Sequence, residues 1–207
     1  MFRGKPTGIE APSVMRGDVH HAYNVTRDCL KSRNLPYNNT SKNSLITIVP
    51  KAGTRRIGRE WIINYNGFDV GGLFFGTCKG RTFRIWIPVN PNNQREWSMD
   101  VLRHEFGHAH DYGSQCLGRH PPHLAPCYPR WRDIPGYYTH STFSNNIVSS
   151  LSVDDEGILR SEIEYIYEDG SVVYLTILTD PTEPTILNKI NQIDDAFFIQ
   201  LKRKLNK

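Results

Sequence analysis

No stretch of this chain offers the roughly 18 consecutive apolar residues that a membrane-spanning helix needs, so a bilayer span is not expected. The N-terminal M-F-R-G-K-P-T-G also lacks the apolar core of a secretory leader. A leader removed earlier would leave the same beginning, so the location stays open, with secreted and virion-associated settings both compatible. Cysteine is scarce. Four residues, Cys29, Cys78, Cys116 and Cys127, are too few for a disulfide scaffold in 207 residues and fit two bridges, four thiols or a mixture. A strong charge of either sign is missing too: 25 Lys and Arg against 21 Asp and Glu leave +4, too diffuse an excess to argue for nucleic acid. What remains is the composition of one soluble globular domain, 1–207, long enough to bury its own core.

The chain is organised around residues 97–113, W-S-M-D-V-L-R-H-E-F-G-H-A-H-D-Y-G, which read as one helix. Ser98 is placed to cap it, Asp100 lies in the first turn where the helix dipole favours an acid, and Gly113 is a natural residue to follow its end. Val101, Leu102 and Phe106 give it an apolar face. On this helix His104 and His108 are separated by about 40° of rotation and about 6 Å of rise, so both imidazoles can reach one ion. Glu105 follows the first His, completing H-E-x-x-H. Two such imidazoles supply two ligands of a tetrahedral Zn2+, a third residue supplies another, and Glu105 can take a proton from a zinc-bound water as it attacks a carbonyl. The competing reading is two ordinary histidines and a solvated acid on an amphipathic helix.

Around this helix the chain reads as follows. Residues 1–17, with Pro6, Pro12 and several glycines, form an irregular arm. A helix over about 19–33, capped by Asp18, buries Val19, Ala22, Tyr23, Thr26 and Leu30 and leaves His20 and His21 at the surface. Asn38 and Asn39 head overlapping glycosylation sequons. Strands follow at 44–50, stopped by Pro50, then at 59–65, 71–78 and 81–89, rich in β-branched and aromatic residues; Pro88 suits a sheet edge. Residues 114–157 are a loop-rich part of the active region, in which Cys116 and Cys127 bracket a Pro- and His-rich loop and are the expected disulfide pair. In 158–207, a hairpin over 158–178 turns at Asp169-Gly170, and an amphipathic helix covers about 183–205.

Helix, strands and then an H-E-x-x-H helix resemble the zincin metallopeptidases. The resemblance implies an α+β fold: a small twisted mixed sheet packed against the N-terminal helix and the active helix, here with a C-terminal hairpin and helix added. It also implies an edge strand that pairs with the substrate backbone, which would be 84–89. The third zinc ligand stays open among Asp111, His120, His123 and His140. L-G-R-H-P-P at 117–122 is similar to the metzincin third-ligand turn with altered spacing and favours His120, and S-N-N-I-V-S at 144–149 is similar to the Met-turn of that group with Val148 in place of Met. H-A-x-D after His108 resembles gluzincins of the anthrax-lethal-factor kind, whose third ligand is a later Glu. Tyr137 or Tyr138 could donate to the oxyanion, as tyrosines do in several zincins, or simply pack the loop. The resulting expectation is a zinc endopeptidase acting on a peptide or protein. The alternative is a structural or binding component of a secreted or viral assembly, its zinc a staple and its hairpin or C-terminal helix a contact surface for a protein partner.

Overall fold

The structure, a computed structural model, describes residues 8–35, 37–38, 44–65, 67–77, 81–115, 127, 138–139, 147–153, 159–166 and 172–179. They make a mixed α+β arrangement, mostly sheet with two helices. The helices are α1 (Arg16–Ser32) and α2 (Met99–Gln115). The strands are β1 (Gly8–Glu10), β2 (Leu45–Ala52), β3 (Arg55–Ile57), β4 (Glu60–Tyr65), β5 (Phe68–Thr77), β6 (Thr82–Asn90), β7 (Asn93–Trp97), β8 (Tyr138–Thr139), β9 (Ile147–Val153), β10 (Leu159–Ile166) and β11 (Val172–Thr179).

The apolar stripe of α1 is buried as its spacing predicts, at Val19, Ala22, Tyr23, Thr26 and Leu30, and His20 and His21 are exposed. The helix begins earlier than expected. Met15 is its first flanking residue, and Asp18 lies in the first turn, where it still meets the positive end of the dipole. Its C-terminus is a Schellman motif on a non-glycine residue: Asn34 takes φ +56°, Asn34 N–H donates to Lys31 O at 3.0 Å, and Leu35 N–H donates to Leu30 O at 2.9 Å. Residues 8–10 of the expected arm instead form β1, parallel to β2 with Ile9 opposite Ile46, so β1, α1 and β2 make a βαβ unit.

The strands run in the order β1-β2-β6-β5-β11-β10-β9-β8, with β4 and β7 attached to β5 and β6, and β3 to β4. This sheet is far larger than the small one expected. β2 does not stop at Pro50. It runs on to Ala52 parallel to β6, because beyond the last β1 pair, Glu10 with Thr47, β2 is joined only to β6 and its other edge needs no donor. β6 is not an edge either: β2 flanks it on one side and β5 on the other. Pro88 is accommodated because pairing with β5 ends at Leu73 opposite Trp86. β3 and β7 were not foreseen; β7 turns straight back from β6 into α2. The hairpin is present as β10 and β11, Ile166 opposite Val172, and it enters the sheet interior by placing β11 antiparallel on β5.

One face of this sheet carries both helices. Ile46, Ile48, Phe83, Ile85, Phe74 and Tyr174 pack against Val19 and Tyr23 of α1 and Leu102 and Phe106 of α2. The Tyr23 ring meets Phe106 edge-on with centroids 5.7 Å apart.

Cys127 pairs with Cys29, not with Cys116; the Cα atoms are 5.6 Å apart across 98 residues of sequence. Nearness in sequence misled here because the last turn of α1 brings Cys29 to Cys127 in a cluster with Leu30, Leu35 and Tyr37. Cys78, Cys116 and the expected helix at 183–205 lie outside the described residues. Among the described residues no helix is long and apolar enough to cross a membrane.

Candidate metal centre

The α2 helix starts as its sequence dictates. Ser98 Oγ accepts the Val101 N–H at 3.3 Å and donates to Glu60 Oε1 at 3.3 Å, fixing the helix N-terminus to β4. Gly113, expected just past the end, lies inside the helix. From this fixed start, Val101 and Glu105 come round to Gly72 of β5 and His108 to Phe74 of β5 and Tyr174 of β11, while Val101, Leu102, Phe106 and Ala109 join the core shared with α1.

His104 and His108 converge. Their Nε2 atoms are 3.0 Å apart and their rings are nearly perpendicular, 89°, with centroids 4.6 Å apart. Two nitrogens bound to one tetrahedral zinc at about 2.0–2.1 Å stand about 3.3 Å apart, so the pair fits the ion with a few tenths of an ångström of adjustment. The same separation suits one N–H···N hydrogen bond between a donor and an acceptor imidazole. His108 is held flat on the Tyr174 ring, 4.1 Å between centroids and 12° between planes, and also meets Phe74 at 5.9 Å. All three residues of the motif are buried: His104 is 3%, Glu105 0% and His108 1% exposed.

Glu105 points into the sheet. Thr176 Oγ1 donates to its Oε1 at 2.9 Å, and the carboxylate lies over Gly72 of β5, where a Cβ would collide with Glu105 and come within 2.8 Å of Val101 Cγ1. Gly72 is therefore a notch for the acid, the close approach that a glycine inside a strand commonly signals. The Gly71-Gly72 pair was a legible signal. Thr176 and Tyr174 were not, because the alternation of V-V-Y-L-T-I-L places them on one face without saying what that face meets.

The chain matches no known family model, curated protein or solved structure. Among the described residues, no three His, Cys, Asp or Glu side chains gather as a metal cluster. His120, His123, His140 and Tyr137 lie outside the described residues, and Asp111 is placed by its backbone in the fourth turn of α2. Tyr138 is in β8, opposite Leu151 of β9. The Met-turn likeness is corrected: Ile147, Val148 and Ser149 are extended residues of β9, opposite Tyr165, Glu164 and Ile163, since β10 supplies a full ladder of partners there.

A second buried polar group braces the site from behind. His110 Nδ1 accepts the Asn38 N–H at 3.1 Å, and its other nitrogen lies 3.3 Å from Tyr23 O, which fixes the Nε2–H tautomer. Asn38 is itself spent: its amide donates to Ala109 O at 3.3 Å, its carbonyl oxygen accepts from Ser44 Oγ at 2.7 Å, and its backbone oxygen accepts from Tyr23 at 2.5 Å. With 1% of its surface exposed, Asn38 is no glycan acceptor. Burial pushes the His110 pKa down to about 4, opposed by its hydrogen bond to Tyr23. This imidazole is a neutral strut between α1 and α2.

Proposed function

We propose that this protein is a zinc-dependent endopeptidase of zincin-like fold. The observation that carries the reading is the convergence of His104 and His108 Nε2 to 3.0 Å from one helix face with Glu105 between them in sequence. Helices α1 and α2 on one face of a mixed sheet support the same fold reading. His104 and His108 would hold the zinc with a third donor, for which His120 is favoured by the L-G-R-H-P turn. A bound zinc supplies Lewis acidity and brings the pKa of water to about 7. Glu105 accepts and returns the proton; while β11 is in place, Thr176 holds its carboxylate and the ring of Tyr174 lies flat on His108.

Glu105→Gln tests the mechanism: zinc content should be kept while peptide hydrolysis falls by about 10²–10⁴-fold, the usual range for a general base. Normal turnover in that variant would overturn the assignment.

One observation favours a second reading. Full burial of His104, Glu105 and His108 also suits a zinc that staples a structural or binding protein, its shell closed by four protein ligands. X-ray absorption on the zinc-loaded wild type and on His120→Ala, His123→Ala and His140→Ala variants separates the two: three protein ligands plus water support hydrolysis, and four protein ligands support the staple.

A further inference from the structure

We infer that β11 lies where a peptide substrate binds: the groove over His104, Glu105 and His108 accepts an extended chain antiparallel to β5, and the protein's own Val172–Thr179 fills it. This rests on the peptidase reading. A hydrolase whose motif is at most 3% exposed must move something aside to admit a peptide. The motif touches β5 through Gly72 and Phe74, and β11 through Tyr174 and Thr176.

The sheet order singles out β11 as the strand that moves. Strands from residues 8–97 form one contiguous part, β1-β2-β6-β5 with β3, β4 and β7, and strands from 138–179 form the other, β11-β10-β9-β8. Among the described residues, the two parts join in the sheet only along β5 and β11, the seam that runs past the motif. The ladder is irregular beside Glu105: Thr176 faces Gly72, Ile177 faces Val70, and Gly71 is skipped. Such bulges locally break pairing and recur next to active sites. Release would withdraw the Tyr174 ring from the core it shares with β2, β6 and the helices, expose Val173, Leu175 and Ile177, and separate Leu178 from Ile57 and Ile62. The vacated edge of β5 would present unpaired N–H and C=O groups to an incoming strand. The occupant also describes the ligand: an aromatic residue seated on His108 and, two residues on, a small hydroxyl or apolar residue over Gly72.

A covalent lock tests this in the full chain. Phe75 and Val173 are register partners, and antiparallel partners lie within disulfide reach. The oxidised Phe75→Cys/Val173→Cys protein should hydrolyse peptides at least about tenfold more slowly than either single variant, because it cannot open. Gly76→Cys/Val172→Cys, the neighbouring register pair, serves if the first fails to fold. Hydrolysis by a locked protein at the rate of its single variants overturns the inference and leaves the peptidase reading intact. If no variant hydrolyses peptides, the peptidase reading falls, and the groove is judged by a labelled V-V-Y-L-T-I-L-T peptide together with hydrogen exchange. Binding to wild type but not to the locked protein, with β11 amides exchanging about 10²-fold faster than those of β6, upholds the groove. No binding, or exchange of β11 only together with β6, overturns it.

Discussion

His110 shows how much one residue of H-E-F-G-H-A-H can differ from its neighbours. His104 and His108 aim at each other, whereas His110, two residues on, is turned toward α1 and held neutral by burial. In the unfolded chain a histidine titrates near 6.5, and here it titrates at about 4, so between these values the unfolded state binds the extra proton. The stability contributed by the neutral imidazole is thus complete above about pH 6.5 and is lost as the pH falls toward 4, a change of the order of 3 kcal/mol. Urea unfolding across this range should show a steeper loss in wild type than in His110→Gln; parallel curves would refute the strut role. Gly72 makes the second prediction at this scale. Gly72→Ala drives a methyl into Glu105 and Val101, and should cost about 1–3 kcal/mol by urea unfolding, as overpacking does. A variant as stable as wild type would show that Glu105 is free to move off its seat.

Among the elements, the two helices were the most legible. Their apolar spacing carries their identity, and Ser98 caps α2 as its residue type predicts. Ser98→Ala removes that cap and the bond to Glu60, and should lower stability by about 1 kcal/mol in thermal or urea unfolding. No change would mean that the first turn is held by β7 alone. Strands were legible as segments but not as neighbours. Pro50 and Pro88 marked β2 and β6 as terminated or peripheral, yet both strands continue because each proline falls where pairing on one side has already ended. The hairpin of β10 and β11 was plain from two apolar runs about a short polar turn, a local pattern, while its docking on β5 is a contact across some hundred residues that no local pattern encodes.

For the whole molecule, the Cys29–Cys127 bridge ties α1 to Cys127, which follows α2 in sequence. Closing a loop of 98 residues constrains the unfolded chain strongly, so Cys29→Ser should cost about 2–5 kcal/mol, measured by calorimetry against wild type. An unchanged transition would indicate that the bridge is absent in solution. The sequence alone determined the helix-borne H-E-x-x-H pair, the buried stripe of α1, the mixed α+β composition and the final hairpin, because each depends on spacing within a few turns or strands. Tertiary structure alone decided that β5, not the 84–89 strand, flanks the motif, that Cys127 takes Cys29, that Asn38 is locked inside, and that Thr176 meets Glu105. These depend on which faces meet across long separations, and that is set by the packing of the whole sheet against both helices.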